Sequence, residues 1–179
     1  MTALTFPHQA ILGLGANLGD PVTTLRNAIM TLQAHAATRA WRLSPLYRTA
    51  PVGADEAQPD YVNAVAICQT DLQPEQLMQW LLDTEHDFGR DRSHDIGRNA
   101  PRTLDLDLLA YDQVQMHTPL LTLPHPRLQE RAFVLRPLLD LLPDISLVGL
   151  GRLDAYLPEV ADQPIARLDD SPQGLALYG

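Results

Sequence analysis

The stretch from Thr103 to Tyr111, T-L-D-L-D-L-L-A-Y, constrains this chain more than any other. Leucine recurs at every second place between polar residues, the period of a half-buried strand. Leu104, Leu106 and Leu108 then point into a core, and Asp105 and Asp107 share the opposite face. Two carboxylates side by side repel unless a cation sits between them or one takes up a proton. A hard divalent ion such as Mg2+ is satisfied by one or two carboxylates plus phosphate oxygens and water. The bland alternative is a solvated polar strand face.

Around this strand the pattern alternates. Ala10 to Gly15 is a short apolar run ending in glycine and predicts a strand. Asp20-Pro21 supplies an N-cap and a first-turn proline. Val22, Leu25, Ile29, Leu32 and Ala36 then follow at helical spacing to about His35. Trp41 to Thr49 and Tyr61 to Thr70 are expected strands, joined by the loop 50–60. Pro74 opens a second helix with Leu77, Trp80, Leu81 and Phe88 as its apolar stripe, closed by Gly89. A proline-bearing loop from Leu123 to Pro126 precedes a helical stretch from Arg127 to Leu142, with a break expected at Pro137. Strand–helix–strand–strand–helix–strand is the order of an α+β, ferredoxin-like split βαβ core, a mainly antiparallel sheet with helices on both faces. The expected layout is one domain over residues 1–179, with a catalytic core at 10–143. Residues 144–179 lack sustained periodicity and are expected to form a loosely packed C-terminal appendage.

Composition narrows the chemistry. The 179 residues carry a net charge of −9, and all 13 basic residues are arginine. An acidic chain is a poor partner for nucleic acid or an anionic membrane. Without lysine there is no Walker lysine, no Schiff-base lysine and no kinase strand lysine, so phosphate chemistry would rest on Arg, His, backbone amides and metal. Residues 90–136 hold seven of the 13 arginines against six acids, a locally cationic zone suited to polyphosphate. Within it, Arg127 and Arg136 are expected to pair with neighbouring acids. Cys68, the only cysteine, lies in an apolar run and is expected as a small buried residue. The opening MTALTFPHQA has neither a basic region nor a long apolar stretch, and no 18-residue apolar run occurs, so the expectation is a cytoplasmic protein.

Other segments offer binding groups. Tyr61 and Asn63 share a strand face, an aromatic surface beside an amide that suits a flat heterocycle, and Phe133 could supply the opposite wall. Core packing is the alternative for these residues. Pro124-His125-Pro126 holds a histidine in a stiff loop. The spacing of Gly13, Gly15 and Gly19 does not fit a dinucleotide fingerprint and points to a tight turn into the first helix.

Six blocks in order resemble one family, that of the 6-hydroxymethyl-7,8-dihydropterin pyrophosphokinases. They are G-L-G-A-N-L-G-D (13–20), Y-R-T-A-P-V-G (47–53), Q-P-D-Y-V-N-A-V (58–65), G-R-x-R (89–92), P-R-T-L-D-L-D-L-L (101–109) and L-P-H-P-R-L-x-E-R-A-F-V-L-x-P-L (123–138). The resemblance spans about Ile11 to Asp144 and implies transfer of diphosphate from ATP to the pterin hydroxymethyl group, releasing AMP. It implies that Asp105 and Asp107 hold two Mg2+ ions, and that Arg90 and Arg92 lie on a mobile catalytic loop closing over ATP. Glu85, Arg92, Arg102, Leu108, His125 and Arg131 would contact the nucleotide. Tyr61 and Phe133 would sandwich the pterin, while Thr49, Val52 (through its backbone) and Asn63 would read its edge. A monomer is expected, acting on small molecules with no nucleic acid or membrane. Asn99-Ala100 and Ser93 depart from the Trp-Gly and Lys that many members carry. Two other readings of the same residues are a metal-dependent phosphohydrolase or nucleotidyl transferase, and a silent nucleotide- or pterin-binding module.

Overall fold

A computed structural model describes residues 5–50, 58–89 and 103–168. Strand β1 (His8–Ala16) leads into helix α1 (Pro21–Gln33), followed by β2 (Thr38–Leu43), β3 (Tyr47–Thr49) and β4 (Tyr61–Thr70). Helix α2 (Pro74–Asp87) and β5 (Asp105–Tyr111) complete the expected order. The sheet runs β3-β4-β1-β5 with every pairing antiparallel, and β2 also pairs with β4. Thus β1 and β3 run parallel with β4 between them, the split βαβ arrangement of an α+β fold.

Both expected helix starts form. Asp20 caps α1 by accepting from the Thr23 amide at 3.2 Å, and Pro21 occupies the first turn. In α2, the Gln76 side chain reaches back to accept the Gln73 amide at 2.9 Å. One core lies between the sheet and these two helices: Leu25, Ile29 and Leu32 of α1 and Leu77 and Leu81 of α2 meet Leu12, Leu104, Leu106 and Leu108. Cys68 is fully buried in this core, where loss of solvation pushes its thiol up to about 12 and keeps it protonated. On the other face, Ile11, Val65, Ile67 and Leu109 meet helix α3 (Ala132–Leu141).

The strand expected from Trp41 to Thr49 is two strands. Pro45 has no amide to give the ladder, and Ser44 interrupts the pairing by donating its amide to Val65 O at 2.9 Å while its hydroxyl accepts the Val65 amide at 2.9 Å. The break expected at Pro137 is absent. A 3-10 turn (Leu128–Glu130) ends at Arg131, and α3 then runs through Pro137, which is buried. Gly13 and Gly15 lie inside β1 rather than in a turn; the left-handed turn residue is Gly19, at φ 63°.

Residues 144–168 are no loose appendage. The hairpin of β8 (Ser146–Leu147) and β9 (Gly151–Arg152) and a 3-10 helix (Leu153–Val160) bury Leu147, Leu153 and Val160 against α3. Strand β10 (Ile165–Arg167) then pairs with β3 and extends the sheet. A smaller hairpin, β6 (Met116–His117) and β7 (Thr122–Leu123), follows β5. No described helix is long and apolar enough to cross a membrane.

If the C-terminal stretch is part of the cooperative core, Leu153→Ala should lower unfolding free energy by about 2–5 kcal/mol, the usual cost of emptying a buried leucine site. Urea unfolding followed by circular dichroism reads this directly. A loss below about 0.5 kcal/mol, as for a surface change, would detach that stretch from the core.

Candidate active site

The sheet face that carries α3 holds a cleft of about 150 Å3. Its floor is backbone. Gly15 pairs with Asn63 on one side and Asp105 on the other, and Gly13 pairs with Val65 and Asp107. A methyl on Gly15 would sit 2.8 Å from Asn63 Oδ1, so the absent side chain is what lets the amide lie across the strand. These glycines were legible only as a turn signal because spacing alone does not reveal what sits beside a strand.

Asp105 and Asp107 emerge over this floor from β5, both half-buried and both lining the cleft. The alternation that places them there ends just beyond. Ile11 pairs with Ala110 but Leu12 pairs with Leu108, leaving Leu109 as a bulge residue. Leu109 and Ala110 both face α3, and Tyr111 returns to the α1/α2 core, where its hydroxyl donates to Leu72 O at 2.6 Å.

Across the floor lies the group expected to hold a flat ring. Tyr61 and Asn63 of β4, Thr49 of β3 and Phe133 of α3 all line the cleft. Asn63 Nδ2 donates to Thr49 Oγ1 at 2.7 Å, and both residues are buried. That bond leaves the Thr49 hydroxyl hydrogen to donate and Asn63 Oδ1 to accept. Arg131 stands beside them with its guanidinium carbon 5.3 Å from the centre of the Phe133 ring. It occupies the N-cap of α3, at the positive end of that helix's dipole. A guanidinium and a helix N-terminus together favour an anion at that place.

Asp107 also borders a second hollow, lined by Leu108, His125, Met78, Leu82 and the β6–β7 hairpin. His125 is tied in twice: its amide donates to Leu109 O at 2.8 Å, and its Nδ1 accepts the Arg127 amide at 3.2 Å. Burial pushes its pKa down to about 4, with Arg131 and Arg127 adding to the effect and Asp105 opposing it. The neutral ring accepting at Nδ1 therefore carries its proton on Nε2. Glu85 is almost fully buried behind β5, where Oε1 accepts the Leu106 amide at 2.9 Å.

Arg127 pairs with Glu130 at 3.6 Å, as expected, whereas the exposed Arg136 makes no ion pair with a described acid. Val52, Arg90, Arg92 and Arg102 lie outside the described residues, as do Ser93, Asn99 and Ala100. Gln163 was not legible as part of the site. It lines the cleft from a segment 31 residues beyond α3's start, its Oε1 accepting the Ala132 amide at 2.8 Å and its Nε2 donating to Glu130 O at 2.9 Å.

Comparisons with known proteins agree with the motif blocks. Residues 11–143 match the model of the family described as 7,8-dihydro-6-hydroxymethylpterin-pyrophosphokinase. The 2-amino-4-hydroxy-6-hydroxymethyldihydropteridine pyrophosphokinase of Synechocystis sp. is 42% identical over 155 residues, covering 87% of this chain and 77% of that protein. Its namesake in Methylorubrum extorquens is 37% identical over 163 residues, covering 91% of this chain and 95% of that protein. A crystal structure of an HPPK-DHPS in complex with substrates shares the fold, with a TM-score of 0.65 at 11% identity over 84% of this chain. The chain spans 43% of that longer chain. The chain belongs to the 7,8-dihydro-6-hydroxymethylpterin pyrophosphokinase family and is a pyrophosphokinase.

Proposed function

We propose that this protein transfers the diphosphoryl unit of ATP to the hydroxymethyl oxygen of 6-hydroxymethyl-7,8-dihydropterin, releasing AMP, in the cytoplasmic synthesis of folate. The observation that supports this most is the shared cleft: the paired carboxylates and a slot built from Tyr61, Asn63, Thr49 and Phe133 open into one space. A phosphohydrolase or nucleotidyl transferase has no need of such a slot.

No group of three metal-ligating side chains occurs among the described residues. A cation held by Asp105 and Asp107 would complete its shell with phosphate oxygens and water, the preference of Mg2+. We assign these two aspartates to two Mg2+ ions, whose charge when bound would neutralise charge on the transferring phosphoryl oxygens.

The chain's own groups do the rest. Tyr61 and Phe133 stack on the ring, and the Thr49 hydroxyl and Asn63 Oδ1 bond its edge, with the Val52 backbone assigned beside them. Arg131 and the His125 Nε2–H bind phosphate oxygens, with Arg90, Arg92 and Arg102 assigned to the same triphosphate. Leu108 packs at the nucleotide side, and Glu85 acts on the nucleotide by fixing the backbone of the carboxylate strand. The substrate oxygen then approaches the β-phosphorus in line with departing AMP. No described side chain stands out as a general base, so alignment and charge supply the catalysis. The working unit is a monomer of one domain.

Protein mixed with ATP, Mg2+ and the pterin should yield AMP in step with pterin diphosphate on chromatography. ADP in place of AMP would overturn the assignment of the reaction. Asp107→Ala should cut turnover by several orders of magnitude with the fold retained, since it removes charge stabilisation at the transition state. Near-normal turnover would misplace the metal site. Gly15→Ala should weaken pterin binding, measured by fluorescence titration, because the new methyl collides with the Asn63 amide; unchanged affinity would remove Asn63 from the slot.

His125 gives a pH test. Its folded pKa of about 4 lies below the unfolded value of about 6.5, so the unfolded chain takes up the proton first. Its contribution to stability is complete above about pH 6.5 and is lost as pH falls towards 4. His125→Gln should flatten the fall in Tm over that window, and an unchanged slope would mean the ring is not held neutral.

A further inference from the structure

We infer that Gln163 is a positioning residue for the transfer reaction, holding Arg131 and Phe133 in their working orientation. The inference rests on the roles proposed above for those two side chains.

It begins with a local conflict. Ser, Thr, Asp or Asn normally occupies a helix N-cap, because its side-chain oxygen accepts an orphan amide. At α3 that place is taken by Arg131, whose guanidinium has only donors, and no side chain of the cap residue bonds the helix. Its charge also opposes the positive end of the helix. A helix start that breaks both rules is disfavoured unless something else satisfies it, and such local violations concentrate at functional places.

Gln163 supplies the missing partner. Its amide spans the Arg131 backbone: Oε1 accepts from the residue after it at 2.8 Å, and Nε2 donates to the residue before it at 2.9 Å. This two-point clip fixes the backbone on both sides of Arg131. The Arg131 carbonyl, in turn, accepts the Val134 and Leu135 amides at 3.1 and 3.0 Å and starts the helix that carries Phe133. The cap function is thus moved to a distant residue, and the cap position is left free for a phosphate-binding cation. Gln163 lies within the described stretch that β10 anchors to β3, so the clip is attached to the same sheet as the cleft floor.

The variant Gln163→Met keeps length and apolar bulk but removes both hydrogen bonds. Gln163→Glu keeps the acceptor for the Ala132 amide and removes the donor. Two readouts are needed. Hydrogen exchange of the 130–135 amides should quicken in Gln163→Met while β1 and β4 amides stay protected, with Ala132 protection retained in Gln163→Glu. In the AMP-forming assay, kcat/KM of Gln163→Met should fall about tenfold, the effect of roughly one lost hydrogen bond's worth of alignment. The Kd for pterin should rise with it, and Gln163→Glu should lie between. Unchanged exchange at 130–135 would overturn the clip. Faster exchange with wild-type kcat/KM and pterin Kd would reduce it to a structural cap and overturn the positioning role. If the wild-type protein forms ADP or no product, the proposed reaction fails; the exchange and pterin-binding results then still decide whether Gln163 orders this wall.

Discussion

The strand that carries the two aspartates is the edge of its sheet, and much of the site follows from how that edge is closed. Among the described residues only one side of β5 is paired, with β1, so its outward amides and carbonyls need other partners. Glu85 takes the Leu106 amide, and the His125 amide takes the Leu109 carbonyl. Two residues that the family resemblance links to the nucleotide thus first complete the backbone bonding of the carboxylate strand. A buried carboxylate needs bonding partners, and for Glu85 the Leu106 amide of β5 is one of them. The same contacts that protect the edge from pairing with a foreign strand also fix where Asp105 and Asp107 stand.

The two faces of the sheet have separate duties. The face under α1 and α2 is filled with leucine and alanine and gives the chain its main core. The face under α3 is only partly filled, and the space left over Gly13 and Gly15 is the cleft. Such a division needs a strand that is apolar on one side and polar on the other only near its start. The bulge at Leu109 provides it, because beyond that point both sides of β5 are apolar.

What was legible in the sequence was local. The alternation through Asp105 and Asp107, the Asp20-Pro21 cap and the Pro74 helix start each depend on residues within a few places of one another, and each formed as expected. What escaped depended on contacts made at a distance. Ser44 breaks a strand because it bonds Val65, 21 positions away. Pro137 sits inside a helix and is buried there, so tertiary burial overrides the local rule against it. The floor glycines are explained by Asn63 on a neighbouring strand, and Gln163 acts on a backbone 31 residues earlier. A glutamine in an aperiodic stretch carries no local signal of such a task. The family blocks stop near Asp144 and so leave that stretch unread.

The pairing of β10 with β3 has a consequence for how the protein comes into being. Strands β1 to β5 and helices α1 and α2, which make most of the main core, precede residue 112, so a chain emerging from the ribosome can assemble most of that layer early. The wall of the cleft cannot be finished then, since β3 lacks its outer neighbour and Arg131 lacks its clip until residues 163–167 have been synthesised and released. Synthesis itself therefore delays the assembled cleft: a half-made chain can hold a folded layer and still present no complete binding surface to its substrates.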